Sequence, residues 1–346
     1  MDIQKIHPEL RSIYKYLPAI PFHRPFTQGL MRFVLRLARR SRSAKGVAVE
    51  NHRIGPARIR VYRPLNGASG AGLLWMHGGG FVVGAAVQDD GICSRYARDL
   101  GLVVVSVDYH LAPEHPFPAA LDDCFAAWRW MQDNGELGID PTRIAIGGMS
   151  AGGGLAACLA QRIYDSGTVQ PAAQILFYPM LDDRTAANRD LDQIKHPLWN
   201  NQNNRGGWSA YLGHDPGHPT EPEYAVASRR EDLSGFPPAW IGVGDIDLFF
   251  DENRVYAERL NSAGVSCDLH LVPMAPHGFQ GVVPQAQISR DFYDQNYQFL
   301  VRTLELMWGG RKNDRSFVSP LGGARGPLRT GGRETEDGDN LTGAGG

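Results

Sequence analysis

Gly148-Met149-Ser150-Ala151-Gly152 places a serine between a short apolar run, Arg143–Ile146, and a helical pattern that opens at Ala151. A serine at so tight a strand–turn–helix junction is held out at the top of a sheet as a potential nucleophile. The turn is strained, and residues two before and two after the serine must be small; Gly148 and Gly152 meet that need. A glycine-rich turn that merely starts a helix would show the same five letters, so a second signal matters. His77-Gly78-Gly79-Gly80 supplies it, directly after the apolar run Leu73–Met76. Consecutive glycines let backbone N–H groups approach a ligand oxygen. In acyl transfer such donors stabilise the oxyanion, each worth about 3–4 kcal/mol when removed.

A nucleophilic serine needs a base, and five histidines lie downstream: His196, His214, His218, His270 and His277. The first three fall among Pro and Gly and read as surface or covering residues. His270 lies inside an apparent strand, where a core or edge role fits better. His277 follows the last apparent strand, in Ala275-Pro276-His277-Gly278-Phe279. Loops leaving the carboxyl ends of strands are where α/β sheets place their chemistry, so His277 is the expected base. The orienting acid should leave a neighbouring strand between Ser150 and His277. Asp245 and Asp247 both follow Ile241-Gly242-Val243-Gly244; spacing favours Asp247 slightly and leaves Asp245 a competitor. Asp251 and Glu252 begin a helix, where acids favour the positive helix terminus without a catalytic role.

The elements that must position these groups follow from the pattern. Arg58–Tyr62, Leu73–Met76, Val103–Val107, Arg143–Ile146, Ala173–Phe177, Trp240–Val243 and Asp268–Val272 read as strands. Helical patterns lie near 90–100, 118–132, 151–165 and 251–263, with a last one near 288–307. Alternating strands and helices predict an α/β fold with a mostly parallel sheet covered on both faces. Roughly sixty residues separate Phe177 from Trp240, far more than an α/β connection needs. That stretch holds Trp199, Trp208 and Tyr211 and reads as a lid or cap. Earlier, Leu30, Phe33, Val34 and Leu37 fall at helical spacing opposite Arg32, Arg36, Arg39 and Arg40. Such a helix could lie on a membrane; the reading favoured here is one packing its apolar face on the core.

Composition narrows the function classes. The 346 residues are 42% hydrophobic and 21% charged, with a net charge of −2. Nucleic-acid binders usually carry a strong basic excess, so none is expected as a partner. Cys93, Cys124, Cys158 and Cys267 form no CxxC pair and no disulfide framework; Cys124 and Cys158 read as core filling. The first ten residues, MDIQKIHPEL, lack the basic start and apolar run of a signal peptide. No stretch is long and apolar enough to span a membrane. A cytoplasmic protein with no stable membrane insertion is expected. The tail from Gly309, rich in Gly, Arg, Asp and Thr, reads as disordered.

These segments together resemble the hormone-sensitive-lipase-like family of α/β-hydrolase esterases. HGGGFVVG (77–84), DYHLAPEHPFPAALDD (108–123), GGMSAGGGLA (147–156), GDIDLFFDE (244–252) and PHGF (276–279) fall in the family's order over roughly residues 55–308. The resemblance implies the α/β-hydrolase fold, Ser150, Asp247 and His277 as a catalytic triad, and Gly79, Gly80 and the Ala151 amide as oxyanion donors. It makes His77 structural, with Gly78, Gly148 and Gly152 beside the site. It implies a core of residues 48–181 and 230–310, a cap from 1–47 and 182–229, and a disordered tail at 311–346. The activity implied is hydrolysis of short- to medium-chain acyl esters, with no metal or cofactor and with a homodimer left open. An amidase or peptidase could use the same triad. The plant gibberellin receptors resemble this family but lack the histidine, and an intact PHGF argues against such a role. Two departures stand out: Met149 precedes the serine where Asp or Thr is usual, and His110 replaces Arg, altering a salt bridge with Glu114 or a neighbouring acid.

Overall fold

A computed structural model describes residues 2–18, 20–37 and 45–307; the expected disordered tail and the arginines at 39, 40 and 42 lie outside the described residues. Among the described residues, eight strands form one sheet: β1 (Val47–Ile54), β2 (Ala57–Pro64), β3 (Gly72–Met76), β4 (Val103–Asp108), β5 (Ile144–Met149), β6 (Ala173–Phe177), β7 (Ala239–Gly244) and β8 (Cys267–Val272). Their order is β1-β2-β4-β3-β5-β6-β7-β8. The β1–β2 and β2–β4 pairs are antiparallel and the others parallel. Among the described residues the α-helices are α1 (Pro8–Tyr14), α2 (Pro25–Leu37), α3 (Asp90–Leu100), α4 (Ala119–Asp133), α5 (Ala151–Asp165), α6 (Asp183–Ala187), α7 (Asn201–Leu212), α8 (Phe250–Ser262), α9 (Phe279–Val282) and α10 (Gln287–Thr303).

Successive side chains of a strand point to opposite faces, and the two faces of this sheet each carry a core. Leu74, Met76, Val105, Ile146, Leu176 and Ile241 pack with α4, α5 and α8 residues on one side. Leu73, Trp75, Val104, Ile175, Phe177 and Trp240 pack with α3 and α10 residues on the other. Burial on both faces explains why the central strands read as near-continuous apolar runs.

Two expectations need correction. The sequence pattern gave seven strands and missed β1. Its residues VAVENHRI mix apolar ends with a polar middle, and only Val47 is buried, so an edge strand held by its ladder to β2 carries no continuous apolar run. The second concerns α2. Its apolar stripe does not pack on the core: Leu30, Phe33 and Val34 are 51%, 57% and 48% exposed. Arg32 faces inward instead. Its guanidinium donates to the Val82 carbonyl at 2.7 Å, the Ala112 carbonyl at 2.6 Å and both Glu114 carboxylate oxygens at 2.8 Å. Helical spacing reveals a stripe but not which side meets the protein. Here a forked cation with four acceptors sets the orientation.

Candidate active site

β3 and β5 are neighbours although the chain visits β4 between them, so the sheet reverses its winding there. Crevices outside the carboxyl ends of strands at such a reversal are where α/β sheets bind ligands. In the ladder Met76 lies opposite Gly148. The His77–Gly80 loop and the Ser150 turn therefore emerge side by side from adjacent strands.

The serine turn is locked by backbone contact. Ser150 has φ +56°, a conformation costing of order 1–3 kcal/mol for a non-glycine residue. Its N–H donates to the Phe177 carbonyl at 2.9 Å, and its carbonyl accepts from Met180 and Gly154, each at 3.0 Å. A Cβ on Gly152 would come within 2.2 Å of the Met76 carbonyl oxygen, and one on Gly148 within 2.5 Å of Gly152 backbone. Glycine is required at both positions because main chain meets main chain.

Ser150, His277 and Asp247, drawn from three separate loops, converge. His277 Nε2 lies 3.0 Å from Ser150 Oγ, and His277 Nδ1 lies 2.8 Å from Asp247 Oδ2. The second Asp247 oxygen accepts the Phe249 N–H at 2.9 Å. All three residues are buried. The rings of Tyr178 and Phe249 pack edge-on to the imidazole at 4.6 and 5.2 Å, fixing its plane. Asp245, the competing acid, is elsewhere engaged: its carboxylate accepts the Met274 N–H at 2.6 Å.

Gly79 and Gly80 adopt φ +130° and +59°. Among the described residues, no hydrogen bond uses the N–H of Gly79, Gly80 or Ala151. The loop abuts the serine, since a Cβ on Gly78 would stand 3.5 Å from Ser150 Cβ. His77 is fully buried and stacks on Tyr109 with ring centroids 4.1 Å apart. Burial lowers its pKa, leaving a neutral ring whose Nδ1 can donate to the Gly78 carbonyl 2.8 Å away. Tyr109 in turn donates to the His77 carbonyl at 2.8 Å.

The residues between β6 and β7 cover this edge. Trp199 lies over the glycine loop: a Cβ on Gly80 would fall 2.1 Å from its ring, and one on Gly278 would fall 2.9 Å from Leu198. The N-terminal segment joins from the other side, with Asn203 accepting the His23 N–H at 3.2 Å and donating to the Ile20 carbonyl at 3.0 Å. His196 is half-buried near the site; burial lowers its pKa while the Asp247 charge opposes this. His214 and His218 lie against each other, rings 4.5 Å apart, and His270 stacks on Trp240 at 6.0 Å.

The two sequence departures also find their surroundings. His110 Nδ1 sits 2.7 Å from Asp123, so the acid paired with His110 is Asp123, while Glu114 serves Arg32. Met149 accepts a long contact from the Tyr178 hydroxyl, 3.9 Å at sulfur. Glu252, expected only to favour a helix terminus, is instead buried. It accepts the Leu181 N–H at 2.7 Å and the Thr185 hydroxyl, tying α8 to the start of the covering segment. Only its place in an acidic pair was visible beforehand. Among the described residues no cluster of His, Cys, Asp and Glu could hold a metal, and no helix is long and apolar enough to cross a membrane.

Residues 73–281 match a family described as the α/β hydrolase fold. The chain is 36% identical over 293 residues to the esterase LipI of Mycobacterium tuberculosis, covering 79% of this chain and 89% of that protein. It is 33% identical over 226 residues to an ethyl acetate hydrolase of Pseudomonas putida, covering 64% of this chain and 70% of that protein. The solved structure of a bacterial heroin esterase superposes with a TM-score of 0.80 at 36% identity, covering 87% of this chain and 99% of the other. The chain belongs to the α/β-hydrolase fold, among its hormone-sensitive-lipase-like carboxylic ester hydrolases.

Proposed function

We propose that Ser150 is the nucleophile of a carboxylesterase, His277 its general base and Asp247 the group that orients His277. The observation that carries this reading is the unbroken contact from Ser150 Oγ through the imidazole to Asp247, at 3.0 and 2.8 Å. Ser150 attacks the ester carbonyl while His277 Nε2 takes the hydroxyl proton. Asp247 holds the Nδ1–H tautomer and stabilises the imidazolium as it forms. The N–H groups of Gly79, Gly80 and Ala151 receive the oxyanion. Collapse of the tetrahedral intermediate expels the alcohol, which takes the proton from His277. Water, deprotonated by the same imidazole, then hydrolyses the acyl-enzyme.

Short- to medium-chain acyl groups are the proposed substrates. Trp199 and Leu198, bulky side chains set against Gly80 and Gly278 on either side of the serine, support this reading. The similarity to a protein named for ethyl acetate hydrolysis points the same way. A cytoplasmic location belongs to the same reading, supported by four buried cysteines that form no disulfide.

Replacing Ser150 by Ala tests the assignment. The expected loss in kcat on p-nitrophenyl butyrate is on the order of 10⁶; hydrolysis near the wild-type rate would overturn it. A series of p-nitrophenyl esters should show maximal kcat/KM at short or medium acyl length. Fastest turnover on long-chain triglyceride emulsions would contradict the substrate class.

A further inference from the structure

The loop bearing His277 takes part of its support from distant parts of the chain. It runs from the end of β8, an edge strand, to α9. Met274 within it holds φ +56°, strained for a residue with a side chain. Besides the side-chain contacts of His277 and the packing of Leu198 on Gly278, four contacts bear on this loop. Two come from the end of β7: the Asp245 carboxylate on the Met274 N–H at 2.6 Å, and the Ala275 carbonyl lying where a Cβ on Gly244 would be 1.8 Å from it.

The other two come from the N-terminal segment. The His7 backbone N–H donates to the Met274 carbonyl at 2.8 Å, and the Tyr14 hydroxyl donates to the His277 carbonyl at 3.3 Å. Ile6, Leu10 and Tyr14 are buried in the same cluster as Phe279, Val283 and Ala286, which follow the histidine. Glu9 accepts the Gln287 N–H at the start of α10. Burial, and then the nearby Asp247 charge, push the Tyr14 hydroxyl well above its ordinary pKa. Tyr14 therefore stays protonated and able to donate.

We propose that residues 6–14 form a clasp that positions His277, with Tyr14 the positioning residue through which it acts. This rests on reading His277 as the base. The imidazole must hold Asp247 and Ser150 at once, so drift of its backbone lengthens one bond as it shortens the other. A hydroxyl on the histidine's own carbonyl limits that drift.

Tyr14→Phe keeps the buried ring and removes only the donor. The expected result is a kcat on p-nitrophenyl butyrate lower on the order of ten-fold, short of the roughly hundred-fold cost of a displacement of about 1 Å. KM should stay within about two-fold and Tm within about 2 °C. Phosphonylation by a fluorophosphonate should slow by the same factor as kcat. His7→Pro is a second, independent probe. Residue 7 has φ −52°, which proline adopts, so the variant deletes the N–H that reaches Met274, together with the imidazole that accepts the Glu9 N–H; a smaller fall in kcat is expected. Unchanged kcat in both variants would overturn the clasp. So would losses that track Tm and raise KM, as in a merely destabilised protein. Failure of the esterase reading would show separately, as activity surviving in Ser150→Ala.

Discussion

The serine turn and the segment covering it are specified by different means. At the turn, main chain touches main chain: the backbones of Gly148, Gly152, Met76 and Phe177 leave no room for further side chains, and the position of Ser150 follows from backbone alone. In the cover, side chains decide. Asn203 reaches the 20–23 segment, Arg32 reaches the loop after Val82, and Glu252 reaches back to Leu181 and Thr185. A region built from backbone contact writes itself into the sequence as small residues at fixed spacing. One built from single polar side chains leaves ordinary residues at ordinary positions. Tolerance should differ accordingly, with changes at the turn abrupt and changes in the cover graded.

The sharpest way to break that contrast is the acid pair at the end of β7. Asp247→Asn should lower kcat by about 10⁴, because the amide favours the wrong imidazole tautomer. Asp245→Asn, two residues away, weakens only an anchor of Met274, since the amide oxygen can still accept that N–H. Its cost should be on the order of ten-fold at most. Equal losses in the two variants, measured as kcat on one ester, would erase the distinction between orienting the base and supporting its loop.

A smaller effect is expected where the cover meets the core. Burial holds the Glu252 carboxyl well above the ordinary carboxylate range, so the folded state favours its protonated form. The wild-type protein is therefore free of this penalty below the ordinary glutamate pKa, and loses stability as pH rises above it toward the raised value. Glu252→Gln does not titrate, and its amide oxygen can still accept the Leu181 N–H. Its Tm should exceed that of the wild type by about 2 °C or more at pH 8. The gap should close near about pH 4. A variant less stable than the wild type at pH 8 would mean that the ionised carboxylate is the form the fold prefers.

How much could be read from sequence follows the same division. The strands β2 to β7 and the five longest helices of the core were legible because those strands lie inside a covered sheet and the helices carry one apolar side, while β8, at the sheet edge, showed through Leu269, Leu271 and Val272. β1 was not, since its stability comes from pairing with β2 rather than from burial. The last helical pattern runs on to about 307, but α10 ends at Thr303. Ser150 and the glycines around it were legible from spacing, and the structure brings His277 and Asp247 to it. The choice between Asp245 and Asp247 was not decidable from spacing alone, because both leave the same strand and only the path of the 273–278 loop separates them. The inward turn of Arg32 was hidden for a related reason: its acceptors at Val82, Ala112 and Glu114 lie far along the chain.

The most direct measurement is the site of covalent capture. One equivalent of a fluorophosphonate, followed by peptide mass spectrometry, should place a single adduct on Ser150 and none on any other residue. Exchanging His277 for Gln should slow that capture by several orders of magnitude while leaving the fold intact. Rapid labelling of another serine, or capture of Ser150 at an unchanged rate in the His277→Gln protein, would contradict the account.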